Sequence, residues 1–178
     1  MRKIMSLQSM ETIEPNKATS VPFLRHLPVG TQLEPLDNCT ESALANLLYA
    51  SFKDSLDDQG ESLADWEKEI TATLKGKYGE ILPCLSFGLF HQEVLVGTLI
   101  TSLYRGVPLI LYIAIHPDYQ GGGHAKQLIQ QAKQRLSESQ TYQELFLVVA
   151  AGNTPAYNLY KKVGFIERGT NWETLLGN

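Results

Sequence analysis

An apolar strand, three consecutive glycines and an amphipathic helix follow one another within residues 109–136, and this order constrains the fold more than anything else in the chain. Leu109-Ile110-Leu111-Tyr112-Ile113-Ala114-Ile115 reads as a buried strand, His116-Pro117-Asp118 breaks it, and Gly121-Gly122-Gly123 leads into a new period. Ala125, Leu128, Ile129, Ala132 and Leu136 then recur at helical spacing, with Lys126, Gln127, Gln130 and Lys133 among the residues on the other faces. The first turn of such a helix has backbone N–H groups without internal partners and lies at the positive end of the helix dipole, so a glycine loop feeding it can hold an anion such as phosphate. Glycines there let a bulky anion approach the main chain. The same loop also serves as a plain tight turn, so the loop alone leaves both readings open.

The flanking sequence extends the pattern. Residues 82–90, 94–103 and 107–115 are apolar runs separated by His91-Gln92-Glu93 and Tyr104-Arg105-Gly106, short enough for hairpins, which predicts an antiparallel meander. Pro108 must lie near the start of the last run, because a mid-strand proline removes a ladder hydrogen bond. Downstream, residues 144–150 (ELFLVVA) form a near-continuous apolar strand of the kind buried on both faces. A helical crossover makes this strand a parallel neighbour of the one ending at Ile115. Thr154 as N-cap, Pro155 at the first helical position and Gly164 as left-handed stop bracket a short helix, and residues 165–168 and 171–176 read as a closing hairpin.

In the first half, residues 31–36 read as a strand. Thr40 caps a helix with Ala43, Leu44, Leu47, Leu48 and Phe52 at helical spacing, and Ser62 starts another with Leu63, Trp66, Ile70 and Leu74 inside. Between them runs the acidic loop Asp54-Ser55-Leu56-Asp57-Asp58-Gln59-Gly60-Glu61, a solvated linker on its composition alone. Residues 1–30, with three prolines and no sustained period, read as an arm or irregular lead-in, and Met5 and Met10 leave the start open. The expected fold is therefore α/β: one domain over residues 31–178, with a mixed central sheet containing a meander and a parallel pair, flanked by helices.

The 178 residues suffice for one such domain. A net charge of -4 gives no basic footprint for nucleic acid or an acidic membrane, so an anionic ligand needs local cations or main-chain donors. Two cysteines, Cys39 and Cys84, show no paired spacing, which fits a reducing cytoplasm, although one disulfide remains an alternative. No stretch reads as a signal peptide or a membrane span.

Two spellings carry the chemistry. Gln120-Gly121-Gly122-Gly123-His124-Ala125 lacks the Gly-Lys-Ser/Thr of a P-loop and does not complete the dinucleotide pattern G-x-G-x-x-G. It resembles the (Arg/Gln)-x-x-Gly-x-(Gly/Ala) signature of the GNAT superfamily of acetyl-CoA-dependent N-acyltransferases. Asn153-x-x-Ala156-x-x-Leu159-Tyr160-x-x-x-Gly164-Phe165 resembles that family's second hallmark, in the right order and one strand later. The resemblance covers residues 82–165 well and the helical first half in layout only.

It implies a splayed parallel pair in the sheet and acetyl-CoA as cosubstrate, with no metal. The diphosphate would sit on the main chain of Gln120, Gly121, Gly122, Gly123, His124, Ala125 and Lys126. The pantetheine arm would pair with Ile113, Ala114 and Ile115, helped by Asn153 and Ala156. Asn153 has a simpler alternative role as a local cap. Tyr160 is the candidate general acid, since a phenol titrates near 10 and a thiol near 8.5, and its simpler role is a core aromatic. His124 is expected to face solvent or phosphate.

In the same family the acidic loop lies where a lid could attract a cationic amine, either a small molecule or a protein amino group. Family members often carry a carboxylate in the strand before the glycine loop. Here Tyr112 stands at the position to check first, leaving Glu80, Glu93, Asp54, His116 or a water chain as base. Absence of cysteine from both motifs favours direct transfer in a ternary complex. A non-catalytic acyl-CoA sensor of the same fold is the alternative, as is a structural domain with coincidental motifs; a homodimer is compatible with all of these.

Overall fold

The computed structural model describes residues 1–9 and 30–177. Eight strands form one sheet: β1 (Arg2–Gln8), β2 (Thr31–Pro35), β3 (Glu80–Ile81), β4 (Phe87–His91), β5 (Val94–Tyr104), β6 (Val107–Ile115), β7 (Glu144–Ala150) and β8 (Ile166–Gly169). Their order is β2-β4-β5-β6-β7-β1-β8, with β3 on β5; β6 and β7 run parallel and all other neighbours antiparallel. Helices α1 (Glu41–Phe52) and α2 (Leu63–Leu74) cover one face, while α3 (His124–Glu138) and α4 (Thr154–Val163) cover the other.

The meander closes through two two-residue turns, Gln92-Glu93 and Arg105-Gly106. All four residues have positive φ (47°, 68°, 51° and 82°), the combination that matches strand twist in a tight hairpin. The apolar run at 82–90 is strand only from Phe87, because Pro83–Leu85 tightens into a 3-10 turn. Caps fix the helices as the spelling suggests. Thr40 Oγ1 accepts from the Ala43 amide at 3.1 Å, and Ser62 and Asp65 form a reciprocal capping box. For α4, of the two caps the sequence offers it is Asn153, not Thr154, that accepts from the Ala156 amide.

Two expectations are overturned. Residues 2–8 are not an irregular lead-in; they form β1, inserted between β7 and β8, with Arg2 opposite Ala150 and Met5 opposite Leu147. Ile4, Met5 and Leu7 are buried, and Ser6 Oγ donates to the Glu144 carboxylate at 3.2 Å. β7 thus has a partner on each side, and its apolar run follows from burial of both faces, Leu145, Leu147 and Val149 in the core under α3 and Phe146 against Trp172. Residues 10–29 of the expected arm lie outside the described residues. Nor does the chain end in a hairpin. With β1 already beside β8, the Asn171 side chain accepts from the Glu173 and Thr174 amides and starts a short helix, α5 (Trp172–Leu176). Trp172 packs on Tyr104 and Phe146, over the buried trio Ile4, Leu109 and Phe146.

The main core lies between the sheet and α3, where Leu128, Ile129, Ala132 and Leu136 are fully buried. On the opposite face Leu44, Leu47 and Leu48 of α1 meet Ile70 of α2. Both cysteines are free; burial pushes the Cys39 thiol up to about 11, and Cys84 is exposed. No helix among the described residues is long and apolar enough to cross a membrane.

Candidate functional site

The site begins at a defect in the sheet. Strands β6 and β7 pair only at Leu109–Phe146 and Ile110–Leu147. Just beyond, Ile100 of β5 faces Tyr112 and Thr101 faces Ile110, so Leu111 is an extra residue in β6. Such a bulge bends its strand, and β6 leaves β7 from this point on. The His116 amide donates to Val96 O at 2.8 Å, so by alternation Ala114 directs its main chain to β5 while Ile113 and Ile115 face the gap. The Ile115 carbonyl there accepts from Ser51 Oγ and Gln120 Nε2, both at 3.0 Å. Ala114 is buried against the α1–α2 face and reaches neither cavity described next.

At the α3 end of the gap lies a cavity of about 400 Å³. Ile113, Ile115, Gln120, Gly121 and Gly123 line it, as do His124, Ala125, Lys126 and Ala156. Gly121 and Gly123 have φ of +79° and +82°, and a Cβ at either would meet nothing within 4 Å, so the loop presents bare main chain to open space. Gly122 is different. A Cβ on it would stand 2.8 Å from the His124 ring, so its missing side chain makes room for that ring under the loop.

His124 is accordingly buried, so of the two surroundings expected for it, solvent or phosphate, it does not take the first. Its Nδ1 lies 2.8 Å from Tyr119 O, and since a carbonyl can only accept, Nδ1 is the protonated nitrogen. Nε2 is buried with no hydrogen-bond partner among the described residues. Lys126 stands on this cavity's wall, and among the described residues no carboxylate does.

A second cavity, about 530 Å³, opens at the other end of the gap. Its wall includes the aromatic group Phe52, Trp66 and Tyr112, in which Trp66 stacks on Phe52 and meets Tyr112 edge-on. Four carboxylates, Asp57, Glu61, Asp65 and Glu69, share it with Arg2. The two cavities have three residues in common: Ile113, Ala156 and Tyr160. Tyr160 packs its ring on Phe165 at 5.9 Å, and burial, with the Asp57 charge adding to it, pushes its phenol up to about 12. Asn153 opens on this second cavity, where its Nδ2 donates to Asp57 Oδ2 at 2.9 Å while its Oδ1 caps α4.

The candidate bases suggested by the sequence are elsewhere: Glu80, Glu93, Asp54 and His116 line neither cavity. Glu80 belongs to the short β3, Glu93 to a hairpin turn, and the His116 ring caps the turn at Pro117–Tyr119 by accepting from the Asp118 amide. The structure instead brings in Glu69, which the sequence reading passed over. Its Oε1 accepts from the Tyr112 hydroxyl at 3.0 Å and its Oε2 from Lys77 Nζ at 2.6 Å. Burial raises the Glu69 carboxyl, but hydrogen bonds from Lys77, Tyr78 and Tyr112 outweigh this and hold it below the usual carboxylate range. Its position three residues after Trp66, on the flank of the inner face of α2, was the available signal. No group of three His, Cys, Asp or Glu suited to a metal occurs among the described residues.

Comparison with known proteins bears on this geometry. The family model described as acetyltransferase (GNAT) matches residues 43–165. The chain is 32% identical over 89 residues to an N-alpha-acetyltransferase of Sulfurisphaera tokodaii, a match spanning 50% of this chain and 50% of that relative. A crystal structure of a GCN5-related N-acetyltransferase from Sphaerobacter thermophilus aligns with 94% of this chain and 48% of its own, at TM-score 0.66 and 18% identity. The PaiA N-acetyltransferase of Thermoplasma acidophilum, solved with coenzyme A, aligns with 80% of this chain and 93% of its own, at TM-score 0.59 and 17% identity. The chain thus spans about half the length of the first two; at these identities the structural likenesses establish the fold.

Proposed function

The chain belongs to the acetyltransferase (GNAT) family, and from that premise we propose that it moves the acetyl group of acetyl-CoA to a primary amine in a ternary complex, with Tyr160 as general acid. The observation that carries this reading is the position of Tyr160 between two cavities of opposite character: one has bare glycine main chain and Lys126, the other four carboxylates and an aromatic wall.

The residues present fit acetyl-CoA. Gly121 and Gly123 leave open space beside the first turn of α3, and the ring of buried His124 lies under the same loop. Gln120, Gly121, Gly123 and Lys126 would hold the diphosphate, and the outward main chain of Ile113 would take the peptide-like arm as a strand addition in the splay. Gly122 supports this loop from behind by seating His124.

Bound there, the thioester supplies an acetyl group that a neutral amine can attack. Tyr160 keeps its proton at neutral pH and is the group available to give it to the departing sulfur. Ile113 and Ala156 line the junction beside Tyr160, and the Phe52–Trp66 stack gives the second cavity an apolar wall. The acceptor is an amino group of a small molecule or of a protein.

Thiol release from acetyl-CoA, followed over a panel of amines and peptides, tests the proposal, with calorimetry reporting acetyl-CoA binding. Turnover with any amine supports it. Binding without thiol release across the panel would instead identify an acyl-CoA sensor, and absence of both would overturn the reading of the glycine loop.

A further inference from the structure

The proposed reaction needs a group that removes a proton from the incoming ammonium, and β6 offers no carboxylate for it. Four carboxylates line the acceptor cavity, and their partners separate them. Asp65 is engaged with Ser62 in the α2 capping box, and Glu61 accepts from the Gln59 amide at 2.9 Å. Glu69 has both oxygens occupied, one by Lys77 and one by Tyr112, which makes it a poor proton acceptor. Asp57 differs in where it reaches. It comes from the loop between α1 and α2, yet it reaches 96 positions along the chain to the Asn153 side chain, at the start of the helix that bears Tyr160. Only Oδ2 is used in that contact; Glu61 likewise engages one oxygen, Oε2, but with a neighbour on its own loop.

We infer that Asp57 is the carboxylate that receives the acceptor's ammonium group and takes its proton, with the loop at 53–62 forming the acceptor's side of the site. The inference rests on the acetyltransferase reading above. In the reaction, R–NH3+ gives one proton to Asp57, and the freed lone pair forms the C–N bond to the acetyl carbon. The C–S bond then breaks and the thiolate takes the Tyr160 proton. The nitrogen's second surplus proton returns the phenol to its starting state, and Asp57 passes its proton to solvent, so the balance is R–NH3+ plus acetyl-CoA to acetamide, free thiol and one H+.

The charged surroundings favour this direction. Asp57 shares its cavity with Glu61 on its own loop, with Asp65 and Glu69 from α2, with the phenols Tyr78, Tyr112 and Tyr160, and with one cation, Arg2 from β1. An excess of carboxylates favours a cationic amine at the mouth. Amines carrying a carboxylate beside the nitrogen are therefore expected to be poorer acceptors than their decarboxylated counterparts.

The test uses the full chain and the best amine from the panel. In Asp57→Asn the amide oxygen can still accept from Asn153, so the loop contact is kept and only the charge is lost. The expected result is a fall of about 100-fold in kcat/KM for the amine, with acetyl-CoA affinity and melting temperature unchanged. Activity of the variant should climb with pH as the free amine deprotonates in solution, a response that loss of a structural contact would not produce. Glu69→Gln serves as the comparison and should retain the parent's pH profile.

Parent-like turnover in Asp57→Asn, or transfer of the steep pH dependence to Glu69→Gln, would overturn the assignment while leaving the acetyltransferase reading intact. That reading itself fails only if the parent protein releases no thiol at all.

Discussion

Tyr160 is the residue on which the proposed chemistry turns, and its environment makes a definite demand. Burial pushes the phenol up, so the proton-bearing form persists as pH rises past the ordinary phenol value of about 10. A kcat profile should therefore show no loss from this group on crossing that value, since loss begins only as pH nears the raised one, about 12. Tyr160→Phe should lower kcat by about 100-fold or more, with the acetyl-CoA Kd unchanged by calorimetry. Gly122 offers a sharper probe of the loop. Adding one methyl in Gly122→Ala places a carbon 2.8 Å from the His124 ring and forces the ring out of its seat. About 1 to 3 kcal/mol of stability should be lost, together with acetyl-CoA affinity, measurable by denaturant unfolding and calorimetry.

Among the elements, β1 and α2 carry the two connections that local patterns did not announce. The loop-helix at 121–136 and the bracketed helix ending at Gly164 could be read because glycine, proline and helical spacing act within a few residues. β1 could not, since its strand character depends on pairing with residues some 140 positions away, Met5 against Leu147. Its buried trio Ile4, Met5 and Leu7, together with a β7 apolar on both faces, was the trace it left. Met5→Ala should cost about 2 to 5 kcal/mol, read as a lowered denaturant midpoint.

Glu69 was hidden for the same reason, because its partner Tyr112 lies 43 positions on. The Lys77 and Tyr112 hydrogen bonds hold its carboxyl below the ordinary value of 4.5 despite burial. The contact therefore stabilises the fold fully above that pH, and the benefit is lost as pH falls through the depressed value. Glu69→Gln should be less stable than the parent by about 1 kcal/mol at neutral pH, with the difference vanishing in acid, as thermal melts across pH would report.

At the scale of the molecule, one bulge organises the candidate site. The extra residue Leu111 parts β6 from β7, the gap runs from the α3 amides to the acidic cavity, and Tyr160 stands where its two ends meet. The mixed sheet and its parallel pair followed from the order of apolar runs. Neither the residue facing each cavity nor the inward turn of His124 followed, because both depend on where distant segments come to rest.

The insertion of β1 between β7 and β8 also bears on how the protein is made. A ribosome delivers residues 2–8 before any of the elements between them and their partners, and the partners arrive only with residues 144–169. Until then the segment that becomes β1 lacks the two strands it pairs with in the fold, which leaves its main-chain donors and acceptors open to neighbouring polypeptides and to chaperones.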